Sequence, residues 1–210
     1  MIRVLIADDH TIVREGLKQI LADNPFIEVI GEASSGTEVI RKINEKDFDV
    51  VVLDISMPGQ NGLDTLKQIK YMKPAISVLI LSMHPEEQYA IRSIKAGASG
   101  YLTKDSASEE LITAIQRVSE GRRYITSSLA EKLASALTVD TKKMPHENLS
   151  DREYQVLCLI ASGQTVTQIS KLLSLSIKTV STYRSRLLTK MNMENNSQIT
   201  HYAIKHNLVE

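Results

Sequence analysis

The sequence has a single cysteine, Cys158, no tryptophan and no long apolar run. One cysteine excludes an internal disulfide, and it fits a small packing residue in a reducing compartment better than a redox sensor. The apolar run at 2–7 is too short for a secretory signal, and no other run reaches the length of a membrane span. These absences predict a cytoplasmic protein that does not enter a membrane.

A net charge is also missing, because 25 basic and 25 acidic residues cancel. Residues 1–121 carry 13 Lys or Arg against 18 Asp or Glu, residues 122–145 carry 5 against 2, and residues 146–210 carry 7 against 5. An acidic front part therefore precedes a mildly basic back part. With 42% hydrophobic residues in 210, the chain can build two small domains, each with its own core.

Residues 1–121 alternate between short apolar runs and amphipathic stretches. The apolar runs are 2–7, 27–33, 49–53, 76–82 and 99–102, and the helical stretches are about 11–23, 36–45, 62–72, 86–96 and 107–121. Several runs are continuous in Val, Ile and Leu, which is typical of strands buried on both faces of a parallel sheet. The pattern predicts a doubly wound α/β domain with five parallel strands, whose functional groups gather at the carboxyl ends of the strands.

This alternation ends after residue 121. Residues 122–148 combine a short predicted helix at 128–137 with a polar stretch, and we interpret them as a linker. Residues 149–210 show no strand pattern but four helical segments, at about 151–162, 166–173, 177–191 and 195–207. Ser150 with Glu153 and Thr165 with Gln168 form capping-box patterns before two of these segments. We therefore predict a C-terminal all-α domain of four helices.

Residues that can carry chemistry follow four of the five predicted strands. Asp8 and Asp9 follow the first strand, Asp54 ends the third, Ser82 ends the fourth, and Lys104 follows the fifth. Each residue alone is more often a turn, cap or surface residue, but nothing structural explains why all five should meet at one sheet edge. Three carboxylates at one edge repel one another unless a cation neutralises them. Oxygen ligands suit Mg²⁺, so the pattern predicts a magnesium site.

Residues 1–121 resemble the receiver domain of two-component response regulators. The matching motifs are 4–10 (VLIADDH), 52–62 (VLDISMPGQNG), Leu81-Ser82 and 97–104 (GASGYLTK). The resemblance implies a flavodoxin-like sheet with strand order 2-1-3-4-5. It also implies that Asp54 accepts a phosphoryl group from a sensor histidine kinase.

The resemblance further implies roles for the residues around the acceptor. The groups that would hold Mg²⁺ are Asp8, Asp9, Asp54 and the main-chain carbonyl of Ser56. Lys104 would bind the phosphoryl oxygens, Ser82 would hydrogen-bond to the new phosphate, and Tyr101 would turn into the space that Ser82 vacates. An ordinary half-buried aromatic is an equal alternative for Tyr101. Asp105 stands where many receivers have proline, and His10 either orients the acid pair or lines it.

Residues 149–210 resemble the LuxR-type helix-turn-helix of the NarL/FixJ subfamily. The matching stretches are 149–153 (LSDRE), 157–163 (LCLIASG), 168–173 (QISKLL) and 176–184 (SIKTVSTYR). The resemblance implies that the helix at 177–191 enters the major groove of DNA. Phosphorylation would then promote a homodimer that binds paired half-sites.

Side-chain type divides the helix at 177–191 into two faces. The apolar positions at helical spacing are expected in the core: Ile177, Val180, Leu187 and Met191. The candidate phosphate-binding residues are Lys178, Thr179 and Arg186, with Thr165 and Thr167 at the start of the preceding helix. The candidate base-reading residues are Ser181, Thr182 and Ser185. The candidate dimer surface, on the last helix, consists of Ile199, Tyr202 and Ala203.

Two other functions fit part of this pattern. Haloacid-dehalogenase-like phosphatases also use a nucleophilic aspartate with Mg²⁺, but their second acid, the general acid, is replaced here by Ser56. A ligand-sensing LuxR-type activator would bind a small molecule in its N-terminal half. A small-molecule pocket of that kind would not explain the clustered acids. We therefore expect a phosphorylated, DNA-binding transcription regulator and not an enzyme.

Overall fold

The computed structural model describes residues 1–83, 86–126, 129–131 and 144–209. The chain divides into two compact units, Met1–Leu133 and Ala134–Glu210. The predicted helix at 128–137 lies outside the described residues except for 129–131, which are helical. The domain limits proposed above, 1–121, 122–148 and 149–210, stay predictions.

The first unit alternates strands and helices. Its strands are β1 (Ile2–Ala7), β2 (Ile27–Ala33), β3 (Val50–Asp54), β4 (Ser77–Ser82) and β5 (Gly100–Thr103). Its helices with assigned bounds are α1 (Thr11–Ala22), α2 (Gly36–Glu45), α3 (Gly62–Met72), α4 (Glu86–Lys95) and α5 (Ala107–Ser119). All strand pairs are parallel, in the order β2-β1-β3-β4-β5. The predicted fold class is confirmed.

Alternate residues of the strands pack on opposite faces of the sheet. Val4 and Ile6 of β1 join Leu17 of α1 and Leu111 of α5 in one core cluster, and α1 contacts α5. Among the described residues, none from α2, α3 or α4 belongs to that cluster, as expected for helices on the other face. Every residue of β3 is buried. Because helices cover both faces of the sheet, a functional site is expected at the carboxyl-terminal edge of its strands.

The second unit is helical throughout its described part. After a 3₁₀ turn at Pro145–Asn148 come α6 (Asp151–Ala161), α7 (Val166–Leu172), α8 (Ile177–Met191) and α9 (Asn196–Lys205). Both predicted capping boxes are present, Ser150 with Glu153 at α6 and Thr165 with Gln168 at α7. Buried apolar side chains from all four helices form the core: Val156, Leu157, Cys158, Ile169, Val180, Leu187, Met191, Ile199 and Ala203.

Two predictions about this unit are wrong. Ile177, expected in the core, is 53% exposed, because it is the first residue of α8 and helical side chains lean toward the N-terminus, beyond the packed turns. Ile199 and Ala203, expected at a dimer surface, are both 0% exposed, because α9 packs against α6. Tyr202 is half-buried, and its hydroxyl lies 2.9 Å from Nδ1 of His146. The buried face of α9 is therefore closed to a second chain.

Candidate functional site

The carboxyl ends of β1, β3, β4 and β5 meet at one edge of the sheet because the strands are parallel and in register. Asp54 ends β3 and Ser82 ends β4, whereas Asp8 directly follows β1 and Lys104 directly follows β5. Asp8, Asp54 and Ser82 are 1%, 2% and 0% exposed. Asp9, next to Asp8, is partly exposed. The structure thus brings together the five residues that the strand ends predicted, in a single acidic pocket.

Lys104 lies between two buried carboxylates of the acidic pocket. Its Nζ is 2.6 Å from Asp8 Oδ2 and 3.1 Å from Asp54 Oδ2. The backbone N–H of Lys104 donates to the carbonyl of Ser82 at 2.8 Å, which anchors the loop after β5 to the end of β4. The peptide between Lys104 and Asp105 is trans. One ammonium therefore contacts both the predicted acceptor and a predicted metal ligand.

Burial and charge shift the pKa values of the pocket. Burial raises the pKa of Asp54, and Asp8 adds to the rise, while Lys104 opposes it without cancelling it. Burial lowers the pKa of Lys104, but Asp54 and Asp8 raise it by more, so the net pKa lies above the ordinary lysine value. Lys104 therefore stays charged at neutral pH. A further cation in the pocket would reduce the remaining repulsion between the carboxylates.

The loop after β3 packs tightly against the end of that strand. The backbone N–H of Ser56 donates to Asp54 Oδ1 at 3.2 Å, which orients the carboxylate. Gly62, the first residue of α3, donates its N–H to the carbonyl of Ile55 at 3.0 Å. A Cβ at Gly62 would collide with the Asp54 carbonyl oxygen and lie 2.6 Å from Ile55 Cα. The sequence predicts Gly62 as a turn or cap residue at the start of a helix, but this close approach is visible only once the loop is folded.

The donor set at this edge fits a divalent cation. One possible ligand atom from each of Asp8, Asp9, His10 and Asp54 lies within 4.8 Å of all the others. Asp9 Oδ1 is buried and accepts no hydrogen bond from the described residues. Three carboxylates provide the hard oxygen ligands that Mg²⁺ binds. His10 joins this set, a placement that the sequence left undecided.

The two predicted switch residues are both fully enclosed. Ser82 and Tyr101 are each 0% exposed. Tyr101, on β5, pairs with Ile80 of β4 in the sheet register, two residues before Ser82. The alternative of a half-buried aromatic does not describe Tyr101, since its ring is inside the core.

Helix α8 presents polar side chains to solvent. The exposed candidates are Lys178, Ser181, Thr182, Ser185 and Arg186, together with Thr165 and Thr167. Several hydroxyls already make local bonds: Thr165 caps α7, and Thr179, which is half-buried, lies 2.8 Å from the N-cap hydroxyl of Ser176. Thr182 Oγ1 donates to the carbonyl of Lys178 at 2.9 Å. The expected contacts of these side chains with DNA stay predictions.

The structure divides the basic residues of α8 into two pairs. Arg184 Nε donates to the side chain of the first residue of α9 at 2.7 Å, and Lys190 Nζ lies 2.6 Å from Oε2 of the buried Glu153. The side chains of Lys178 and Arg186 make no ion pair or hydrogen bond within the described part of the chain. Two of these basic residues thus stabilise the helical unit, and the other two are exposed to solvent.

Comparison with known proteins agrees with this geometry. Residues 4–116 match the family model of the response regulator receiver domain, and residues 147–203 match that of the bacterial regulatory proteins of the luxR family. The chain belongs to the response regulators. Its expected resemblance to the NarL/FixJ type, a receiver followed by a LuxR-type DNA-binding domain, is confirmed.

Relatives of this response regulator align along nearly the whole chain. UvrY of Escherichia coli K12, a response regulator, is 40% identical over 209 residues, which cover 99% of this chain and 96% of UvrY. The response regulator GacA of Pseudomonas viridiflava is 37% identical over 211 residues, covering 100% and 99%. A solved structure of RcsB from Salmonella enterica serovar Typhimurium matches with a TM-score of 0.65 at 30% identity, over 96% of this chain and 98% of RcsB. That RcsB is bound to the promoter rprA in the presence of the phosphomimetic BeF3⁻.

In the described part of this response regulator, no helix has the length and apolar character needed to cross a membrane.

Proposed function

We propose that this response regulator accepts a phosphoryl group on Asp54 from a sensor histidine kinase, and that phosphorylation promotes dimerisation and sequence-specific DNA binding through α8. The observation that carries the proposal is the contact of Lys104 with both Asp54 and Asp8, at 3.1 Å and 2.6 Å, at the carboxyl edge of the sheet. A buried ammonium beside a buried carboxylate suits an acceptor of a phosphoryl group, whose three oxygens carry about two negative charges. We assign this activity to the cytoplasm, where DNA is present.

The chemistry is an in-line displacement at phosphorus. An oxygen of Asp54 forms a bond to phosphorus while the bond from phosphorus to the donor imidazole nitrogen breaks, and the freed imidazole takes up a proton from water. The N–H of Ser56 holds Asp54 in position, and Lys104 offsets the negative charge of the transferring oxygens. A magnesium ion held by Asp8, Asp9, Asp54 and the carbonyl of Ser56 would supply further charge neutralisation.

Ser82 and Tyr101 are the proposed readers of the acceptor's state. Ser82 ends the strand beside β3, so its hydroxyl is on the sheet edge at which the phosphoryl group would arrive. We expect it to donate a hydrogen bond to a phosphoryl oxygen, and Tyr101 to reorient in response. The full burial of both side chains means that any such movement must displace packed neighbours, which favours two discrete arrangements over a continuous one.

Phosphotransfer is tested on the full chain with a small phosphodonor and Mg²⁺. We expect a mass gain of one phosphoryl group, lost in Asp54→Ala and retained in Asp64→Asn, whose carboxylate is exposed on the first turn of α3. Omitting Mg²⁺ or adding a chelator should abolish the gain. No adduct, or an adduct that persists in Asp54→Ala, would contradict the proposal.

DNA binding is tested with the exposed cations of α8. We expect Lys178→Ala and Arg186→Ala each to weaken DNA binding and to reduce the salt slope of log K by about one, because each removes one phosphate contact. Lys205→Ala, an exposed lysine at the end of α9, is the matched control and should leave the slope unchanged. Fluorescence anisotropy at several salt concentrations measures both quantities. Equal effects of all three changes would show that only general charge matters and that α8 is not the binding element.

Dimerisation is the third part of the proposal. RcsB has been solved as two dimers bound to two parallel DNAs. A homodimer of this response regulator would bring two copies of α8 to paired half-sites. Sedimentation of the full chain before and after phosphorylation measures this, and a chain that stays monomeric with a phosphorylated Asp54 would contradict it.

A further inference from the structure

Arg14, in the first turn of α1, contacts the turn that carries Asp8 and Asp9. Its side chain is 14% exposed, and Nη1 donates to the main-chain carbonyl of Asp8 at 2.8 Å. The other two nitrogens also have partners: Nε donates to Oε2 of Glu32 at 3.2 Å, and Nη2 donates to Oγ1 of Thr11 at 3.3 Å. One guanidinium therefore joins the end of β1, the strand β2 and the start of α1.

The carbonyl that Arg14 holds belongs to the peptide between two proposed metal ligands. Because a peptide unit is planar, the direction of the Asp8 carbonyl also sets the direction of the chain that leads into Asp9. The N–H of Asp8 donates to the carbonyl of Ala33 at 3.0 Å, so the main chain of Asp8 is held at both its N–H and its carbonyl. The two carboxylates therefore extend from an ordered backbone, and less ordering is required when a cation binds.

The ion-pair group around Arg14 has no net charge. Glu32, which accepts from Arg14, also lies 2.8 Å from Nζ of Lys18, and the same Nζ is 2.6 Å from Glu15. Hydrogen bonds from Lys18 and Arg14 lower the pKa of Glu32 by more than partial burial raises it, so Glu32 is ionised at neutral pH. Two basic and two acidic side chains thus balance one another. A guanidinium balanced in this way holds the turn without repelling a divalent cation from the acidic pocket.

We propose that Arg14 is a positioning residue for the acidic pocket, because its hydrogen bond to the Asp8 carbonyl presets Asp8 and Asp9 for a divalent cation. The inference rests on the proposed function, since the same two ligands would hold the ion that serves transfer to Asp54. Arg14 acts through the main chain of Asp8 and not on the phosphoryl group. Removing a group that orients metal ligands typically lowers metal affinity by about 10–100-fold.

Charge and positioning predict opposite effects of removing Arg14. Arg14→Met deletes a positive charge near the carboxylates of the pocket, and by Coulomb's law alone this would tighten Mg²⁺ binding. Loss of the bond to the Asp8 carbonyl should instead raise the Kd for Mg²⁺ by about tenfold or more. Lys18→Met is the matched control, because it deletes an equal charge beside the same Glu32 and leaves the bond between Arg14 and Asp8 in place. Its Kd should stay the same or fall.

The Kd is measured on the ¹⁵N-labelled full chain by nuclear magnetic resonance titration with Mg²⁺, following the amides of the turn after β1. Urea unfolding without Mg²⁺ shows whether each variant is folded. The rate of phosphotransfer from the small phosphodonor is then measured against Mg²⁺ concentration. In Arg14→Met the half-saturating Mg²⁺ concentration should rise by about tenfold, whereas the rate at saturation should fall by less than about threefold. A role in general stability would lower the saturating rate instead.

Arg14→Lys provides a second variant if Arg14→Met does not fold. It retains the charge but loses the planar fork that reaches three partners, so its Kd should rise by about three- to tenfold. An unchanged or lower Kd in the folded variant would overturn the inference, and so would a saturating rate that falls as much as the Kd rises. If the unaltered chain forms no adduct at Asp54 but the Kd shifts as expected, the inference stands and the proposed function fails. If the adduct forms and the Kd does not shift, the proposed function stands and the inference fails.

Discussion

Replacing Lys104 with methionine keeps the apolar part of the side chain but removes the charge between Asp8 and Asp54. The ammonium lies 2.6 Å and 3.1 Å from these two carboxylates. The three side chains, Lys104, Asp8 and Asp54, are 9%, 1% and 2% exposed, so little solvent can replace the lost charge. The variant is left with two buried carboxylates that share one edge of the sheet.

Removing one partner of a buried ion pair costs about 3–5 kcal/mol of folding free energy, because an uncompensated charge stays buried. Burial and Asp8 already raise the pKa of Asp54, and without Lys104 this pKa rises further, so a carboxyl can take up a proton. We therefore expect the lower end of the range, about 3 kcal/mol at neutral pH in metal-free buffer. The loss should shrink as the pH falls, since the folded variant then gains protons that relieve the repulsion.

A divalent cation should restore much of this stability. An ion that binds only the folded chain adds about 2.7 kcal/mol at a concentration of one hundred times its Kd. The Lys104→Met variant leaves the carboxylate ligands Asp8, Asp9 and Asp54 in place, so Mg²⁺ should stabilise it by more than it stabilises the unaltered chain.

Peptide-resolved amide hydrogen exchange of the full chain measures the effect, because it separates β1 and β3 from the helical unit. Lys46→Met, at the exposed C-cap of α2, is the matched control and should change stability by less than about 0.5 kcal/mol. Strand amides that exchange in Lys104→Met as slowly as in the unaltered chain would refute the charge argument. A loss of stability that Mg²⁺ does not reduce would refute the argument that Lys104 and Mg²⁺ neutralise the same carboxylates.

Three further predictions concern packing and pH. Gly62→Ala should destabilise the first unit by more than about 2 kcal/mol, because the new Cβ would collide with the backbone at the end of β3. In α1, a Cβ at Gly16 meets nothing within 4 Å, so Gly16→Ala should stabilise the unit by about 0.5–1 kcal/mol. Equal urea-unfolding midpoints for the two variants would contradict this expectation. Burial raises the pKa of Glu153, but its lysine and serine partners lower it by more, so its contribution to stability is present above about pH 4.3 and is lost as the pH falls through the depressed folded value. Acid unfolding followed by circular dichroism should be less steep in Glu153→Gln, and an unchanged slope would be inconsistent with that role. Leu187→Ala should cost about 2–5 kcal/mol and Ile177→Ala less than about 1.5 kcal/mol, so comparable losses in thermal unfolding would argue against the exposure of Ile177.

The architecture of the chain and the sheet edge that carries the acidic pocket both follow from patterns in the sequence. Continuous apolar runs such as residues 50–53 (VVVL) predict buried parallel strands, and parallel strands place all their carboxyl ends on one side. That rule alone predicts that Asp8, Asp54, Ser82 and Lys104 lie at one edge of the sheet. Both capping boxes were equally readable, because their partners are three residues apart and the pattern is local.

Which side chains are paired and which are exposed depends on contacts between elements that are far apart in the sequence. Glu153 and Lys190 are 37 residues apart in sequence, so no local pattern shows that Lys190 is paired whereas Lys178 is exposed to solvent. The exposure of Ile177 likewise follows from which neighbours α8 meets, and periodicity describes a helix without its neighbours. His10 is the clearest case: the sequence places it beside two acids, but the turn between β1 and α1 brings its Nδ1 within 3.1 Å of Asp8 Oδ1 and 3.0 Å of Asp9 Oδ1.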